Sequence, residues 1–194
     1  SEVSTILYGD GSVMANFWQQ NRINVPLEQI SPNIQNAIVA IEDRRFFEHN
    51  GVDVEGMARA MVNNLQGGDT EGASTLTQQY VRNSLIEAGR QSGDAALIDQ
   101  ARETTIGRKL REISLALAVE KQTSKDEILN GYLNIAQFGP SQYGVEAAAQ
   151  HYFSIAAADL DANQAALLAG LVQNPAATDP VRNTSIALER RNVV

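Results

Sequence analysis

Glu42, Asp43, Arg44, Arg45, Phe46, Phe47, Glu48, His49, Asn50 and Gly51 put acids, bases, aromatics and a histidine into ten consecutive positions. A protein core does not take that mixture, and a polar cleft does. A carboxylate at the mouth of a core-facing helix, beside aromatic rings, is suited to general acid–base work. Glu42 is that carboxylate. A solvated charge run at a helix end accounts for the same residues, so both readings stand on this segment alone. His49, seven residues after Glu42, is placed to shape the loop.

Arg108, Lys109 and Glu112 form a second constellation. Arg108 and Glu112 are four apart and share a helix face, so an ordinary helix salt bridge explains them. The sharper reading is an anion site, with Arg108 and Lys109 on a phosphate while Glu112 orients one of them or binds a metal. The third runs Gly72-Ala73-Ser74-Thr75-Leu76-Thr77-Gln78-Gln79. Hydroxyls behind a glycine at a helix start suit an anion or a sugar hydroxyl, and they also suit a plain N-cap. Gln78 and Gln79 each donate and accept. Arg82, one turn past Gln78, adds a positive charge. His151 reads as packing or surface. No HExxH, GxSxG or P-loop pattern is present.

The elements that must position these groups are mostly helical. Ile34, Ala37, Ile38 and Ile41 predict an amphipathic helix over 33–43. Asp53 caps a helix with the stripe Val54, Met57, Met61 and Leu65, broken at Gly67-Gly68-Asp69. Thr75 and Gln78 have capping-box spacing, as do Ser124 and Glu127, and Asp161 and Gln164. Ile106, Leu110, Ile113 and Leu117 give one apolar helix stripe. Ile128, Leu129, Tyr132 and Leu133 give another, and Ala165, Leu168 and Leu171 a third. Pro175 and Pro180 end that last helix. Residues 87–104, polar and small, read as a surface insertion or mobile loop with a weak helix. Ile6-Leu7-Tyr8, Gly9-Asp10-Gly11 and Val13 to Trp18 predict a short β-hairpin. The fold class is therefore mainly α, with a small β element at the N-terminus.

With 194 residues and 43% apolar content, the chain is long and apolar enough for one ordinary globular domain. A net charge of −8 argues against nucleic acid as a partner and against membrane attachment through a polybasic patch. The chain has no cysteine, which removes disulfide and thiol chemistry. No apolar run approaches a membrane span, and no signal peptide opens the chain.

Taken together, the segments resemble the glycosyltransferase domain of class A penicillin-binding proteins, the peptidoglycan glycosyltransferases of family 51. The resemblance covers about residues 30–180. Residues 42–51 fit the first motif, 72–79 the second and 108–112 the third. Lys125 to Asn134 with Phe138-Gly139 fit the fourth, in the family's order. Tyr143 to Ala148 and Gln173-Asn174-Pro175 resemble the closing segments. One such motif is weak; four in order are specific.

The resemblance implies a lysozyme-like helical domain over 31–194 with a membrane-proximal lobe. Residues 1–30 would be a hairpin and linker to a membrane anchor missing from this chain. It implies lipid II and the growing glycan strand as substrates, and the outer face of the bacterial cytoplasmic membrane as the location. It further implies a transpeptidase domain fused in the parent and division or elongation proteins as candidate partners. Carried over by position, Glu42 is the general base for inverting transfer with release of undecaprenyl pyrophosphate. Glu112 assists at the pyrophosphate, with a divalent cation (Mg or Mn) as candidate cofactor, Glu112 as its candidate ligand, and no organic cofactor. Arg82, Arg108 and Lys109 match cationic positions for the phosphates. Asp43, Phe46, His49, Ser74, Thr75, Gln78 and Gln79 match positions that bind substrate or shape the cleft. Lipid docking falls to Met57, Met61 and Leu65, or to the 87–104 segment.

The chain departs from the family pattern at three places. Residue 82 is arginine where lysine is commoner, and residue 130 is asparagine where glutamate is common. The stretch between Asn83 and Arg108 is longer than usual and resembles actinobacterial members; Arg90 and Arg102 are candidate basic residues within it. Two other classes compete. A lytic hydrolase would have no use for cations aimed at a pyrophosphate, and a non-catalytic scaffold would have no use for Glu42.

Overall fold

The computed structural model describes residues 4–17, 22–65 and 74–194. Gly67, Gly68, Asp69, Gly72, Ala73 and Trp18 lie outside the described residues, as do the side chains of Met61 and Leu65.

Two short strands, β1 (Ser4–Leu7) and β2 (Val13–Phe17), pair antiparallel, with an irregularity between Ile6 and Leu7. At the connection, Asp10 Oδ1 accepts from Ser12 N at 2.9 Å and Gly11 takes φ +83°. That dihedral is open to glycine at little steric cost.

The helices follow from 32 onward. α1 (Pro32–Glu42) starts at Ser31, whose hydroxyl accepts from Asn33 N while donating to Leu160 O at 2.8 Å. Proline at the first helical position costs no hydrogen bond. α2 (Val54–Leu65) begins after Asp53, whose Oδ1 accepts from Gly56 N at 2.9 Å. α3 (Leu76–Ser92) is capped by Thr75. The reciprocal half of the expected capping box is absent there, because the Gln78 side chain turns toward Gly51 and Lys109. α6 (Lys125–Ile135) opens with a complete capping box from Ser124 and Glu127, and α8 (Ala162–Leu171) with one from Asp161 and Gln164.

Of the surface insertion or mobile loop with a weak helix expected over 87–104, the structure shows a surface segment that is mostly helical. α3 runs to Ser92, Gly93 caps it in the left-handed region at φ +73°, and Asp94 opens a further helix, α4 (Ala95–Arg102). α4 packs along α3. A Cβ at Gly89 would lie 2.7 Å from Ile98 Cγ1, so the glycine permits the close approach. Of the small residues in this segment, Gly89 and Ala101 are buried where the two helices pack, and the others lie at the surface.

α5 (Ile106–Glu120) is a helix as expected, but it is turned. It buries Glu112 and Ala116, while Ile106 is 81% exposed and Leu110 is 61% exposed. The apolar stripe faces outward because the opposite face is engaged with α3 and with the Gly51 loop.

The core gathers α1, α3, α6 and α8 with α7 (Val145–Phe153) and α9 (Thr184–Val193). Ile34 and Ile38 of α1, Ile128, Leu129, Tyr132 and Leu133 of α6, and Leu168 and Leu171 of α8 are buried in it. Each buried aliphatic side chain of this kind contributes about 1.5–3 kcal/mol. α9 closes the chain against α8, with Arg190 backbone over Gly170. Among the described residues, no helix is long and apolar enough to cross a membrane.

Candidate active site

The first motif leaves α1 at its C-cap. Asp43 N–H donates to Val39 O at 3.0 Å, and its buried carboxylate turns inward. Oδ2 accepts from Leu76 N at 2.9 Å, and both oxygens take a hydrogen bond from His49 Nε2 at 2.9–3.0 Å. One carboxylate thus ties the end of α1, the turn at His49 and the start of α3. Phe46 has no exposed surface and packs edge-on to Phe47, with Lys125 Nζ 4.5 Å from its ring centroid.

The turn ends at Gly51, with φ +84°. Its carbonyl accepts from Thr75 Oγ1 at 2.9 Å and from Gln78 Nε2 at 3.2 Å. Its α-carbon lies against α5; a Cβ there would sit 3.0 Å from the Ala116 carbonyl. The loop is therefore fixed by its backbone, through hydroxyl and amide groups of the second motif.

The other end of Gln78 accepts from Lys109 Nζ at 2.6 Å, and Ser74 Oγ accepts from the same ammonium at 2.6 Å. Burial, with Arg108 and Arg82 nearby, lowers the Lys109 pKa from 10.5 to about 8. Arg108 Nη1 donates to Glu112 Oε2, and Lys109 Nζ lies 4.0 Å from Glu112 Oε1. Glu112 is buried, so Arg108 supplies the opposite charge that a carboxylate there requires.

Beside this group lies a cleft of about 340 Å³. Five arginines line it, Arg22, Arg82, Arg90, Arg102 and Arg108, against two carboxylates, Glu87 and Glu103, with Gln79 and Tyr143; Glu87 pairs with Arg22 at 2.9 Å and lies 4.0 Å from Arg90. Arg90 stands 5.0 Å over the Tyr143 ring and donates to its hydroxyl at 3.3 Å. The excess of guanidinium groups over carboxylates suits a phosphate or carboxylate ligand.

Glu42, at the last turn of α1, is half-buried and joins the cleft wall through Gln79, whose Nε2 donates to Glu42 Oε2 at 2.7 Å. The charge of Glu42 raises the Tyr132 phenol pKa further above its usual value and that of Arg82 opposes it, burial being the main cause. The geometry thus sets a carboxylate next to a cationic cleft, which suits proton removal on one side of a bond whose other side departs as an anion.

The donor set does not fit a resident divalent cation. Glu112 is engaged by Arg108 and faces Lys109, and among the described residues no three histidine or carboxylate side chains converge. Two cations at the one expected ligand repel a third.

A family model described as Transglycosylase matches residues 10–194. The chain belongs to the transglycosylase family. Penicillin-binding protein 1A of Mycobacterium tuberculosis is 39% identical over the whole of this chain and 23% of its own length. The protein of the same name from Escherichia coli is 40% identical over 97% of the chain and 21% of its own length. The chain thus spans less than a quarter of these two relatives. The crystal structure of penicillin-binding protein 1A from Haemophilus influenzae matches with a TM-score of 0.51 at 20% identity. That match covers 99% of this chain and 17% of the other, and it shows that the two share a fold.

Within this transglycosylase domain, Asp43, Phe46, His49, Thr75 and Gln78 are buried and hold the walls of the site from behind. Gln79, Arg82 and Arg108 line the cleft itself. Ser74 accepts from Lys109, which follows the cleft residue Arg108 on α5. Sequence reasoning did not single out Arg22 or Tyr143 as cleft residues, and it placed Tyr132 in an apolar stripe and in the fourth motif without a role at the site. Arg90 lies eight residues after Arg82, close to two helical turns, so that signal was present in the spacing. For Arg22, before the first helix, no local pattern exists.

Proposed function

We propose that this domain is a peptidoglycan glycosyltransferase that polymerises lipid II. The observation that carries the reading is the pairing of Glu42, held by Gln79, with the arginine-lined cleft. Glu42 takes the proton from the acceptor sugar's 4-hydroxyl, and that oxygen forms a bond to the anomeric carbon of the donor. The bond from that carbon to the pyrophosphate oxygen breaks, and the undecaprenyl pyrophosphate leaves with the electron pair. Attack opposite the leaving group inverts the configuration, by the geometry that separates inverting from retaining enzymes. Arg82, Arg90, Arg108 and Lys109 stabilise the departing charge, and fixed cations outside bulk water are effective at this. Glu112 holds Arg108 in place. The cationic set favours this reading over a hydrolase, whose leaving group is an alcohol.

In this reading residues 31–194 are a lysozyme-like transfer domain, and 1–30 lead toward a membrane anchor at the outer face of the cytoplasmic membrane. A transpeptidase domain in the parent fits relatives of four to five times this length. Exposed Val54 and Val62 on α2 and exposed Ile106 and Leu110 on α5 are the apolar side chains available for contact with the membrane.

The deciding experiment supplies fluorescent lipid II in detergent with a divalent cation and resolves the products on a gel. A glycan ladder from the parent and none from Glu42→Gln supports the transferase and its base. A ladder from both removes Glu42 from the chemistry.

A further inference from the structure

Glu42 is connected to the core by two consecutive hydrogen bonds. Gln79 Nε2 donates to Glu42 Oε2 at 2.7 Å, and Oε1 of the same amide accepts from the Tyr132 hydroxyl at 3.3 Å. The chain spans three elements: the last turn of α1, the first turns of α3 and the middle of α6. Tyr132 has no exposed surface, while Gln79 and Glu42 are partly exposed.

A carboxamide has one accepting end and one donating end of almost the same shape. Only the donating end stabilises a carboxylate; the accepting end turned toward Glu42 would repel it. The acceptor-only carboxylate of Glu42 selects the orientation in which the NH2 group faces it, and the Tyr132 hydroxyl donates to the amide oxygen left on the other side and anchors the amide in place. Burial raises the phenol pKa well above its usual value and the charge of Glu42 adds to this, with Arg82 acting in the opposite direction. The hydroxyl is therefore a standing donor, and an immobile one. A carboxylate held through one oxygen keeps its second oxygen for a proton.

We infer that Tyr132 is a positioning residue for Glu42, acting through the Gln79 amide to hold the carboxylate in the orientation that removes the acceptor's proton. The inference rests on the reading of Glu42 as the base. It assigns Tyr132 a task in the transfer step, beyond its place in the core. A base displaced by a fraction of an ångström loses rate in the chemical step while substrate binding persists.

The test is a double-mutant cycle on lipid II polymerisation, with kcat and KM measured for the parent, Tyr132→Phe, Gln79→Ala and the pair. Phenylalanine keeps the ring and removes only the hydroxyl. Tyr132→Phe is expected to lower kcat about tenfold, equivalent to about 1.4 kcal/mol in the barrier, with KM within about twofold of the parent. Gln79→Ala is expected to lower kcat at least as far, and the double variant no further than Gln79→Ala alone. An unchanged kcat in Tyr132→Phe overturns the inference. So does a product of the two losses in the double variant, since Tyr132 would then act by another route. A raised KM at constant kcat does the same. If Tyr132→Phe fails to fold, Gln79→Ala decides alone: parental kcat there breaks the chain at its middle link. An active parent with an equally active Glu42→Gln variant sinks the base reading instead, and the two failures are thereby told apart.

Discussion

Lys109 Nζ, on α5, stands 2.6 Å from Gln78 Oε1, on α3, and the same glutamine amide donates to the Gly51 carbonyl at 3.2 Å. One buried side chain therefore joins the third sequence motif to the first. Its neutral oxygen satisfies the ammonium without neutralising it, so the charge of Lys109 remains available to an anion.

That arrangement gives a pH dependence. Lys109 has a pKa of about 8 in the folded chain against 10.5 ordinarily, so it is charged below about 8 and neutral above. Affinity for inorganic pyrophosphate, measured by calorimetry, is expected to fall as pH rises from 7 to 9. Lys109→Arg keeps its charge throughout and is expected to flatten that fall. An equal fall in both proteins would place the titrating group elsewhere. For stability the sign is the reverse: between about 8 and 10.5 the unfolded chain binds the extra proton, so this group's contribution to stability rises with pH across that window.

Gly51→Ala tests the loop clamp. The position needs φ +84°, and a Cβ there meets the Ala116 backbone at 3.0 Å. A non-glycine residue held in such a region costs on the order of 1–3 kcal/mol. A lowered melting temperature is expected together with loss of transfer activity, because the Gly51 carbonyl anchors Thr75 and Gln78. A variant with parental stability would show that the loop can move off α5 freely.

Arg90 is expected to carry part of the ligand's charge. Arg90→Ala removes a guanidinium held on the Tyr143 ring, and about a tenfold loss of pyrophosphate affinity is expected, within the range for hydrogen bonds to charged groups. Arg90→Lys is expected to recover only part of it, since an ammonium lacks the planar fork that stacks and chelates. Full recovery by lysine would reduce the role of Arg90 to a point charge.

Replacing both Ile106 and Leu110 with serine separates surface from core. Both side chains are mostly exposed, so stability is expected to change by no more than about 0.5 kcal/mol per site. Sedimentation with phospholipid vesicles is expected to weaken. Leu129→Ala, in the buried core, is expected to cost about 2–5 kcal/mol in the same melts. Unchanged vesicle binding in the serine pair would move the docking face away from α5.

Short-range features were legible in the sequence because their physics is short-range. The caps at Thr75, Ser124 and Asp161 depend on residues three apart, and the buried stripe of Ile128, Leu129, Tyr132 and Leu133 depends on helical period alone. Residue type also offered Glu42, Arg82, Arg108, Lys109 and Glu112 as groups able to do chemistry, but a charge is cheap on a solvated surface and costly only when buried, so their task was decided by where the fold puts them. The direction in which each element turns was another matter. The α5 stripe promised a core face and lies exposed, because on the other side Ala116 meets the Gly51 loop and Lys109 bonds to Ser74 and Gln78 at the start of α3. The 87–104 segment read as an insertion or mobile loop with a weak helix and is mostly helical, because Gly89 lets a neighbouring helix pack close, which periodicity does not reveal. The chain from Glu42 through Gln79 to Tyr132 joins residues 37 and 53 positions apart. Local propensity and spacing operate over one or two helical turns. Which side chains meet across elements is decided by how the helices pack, so the composition of the site was written in the sequence and its connections were made by the tertiary structure.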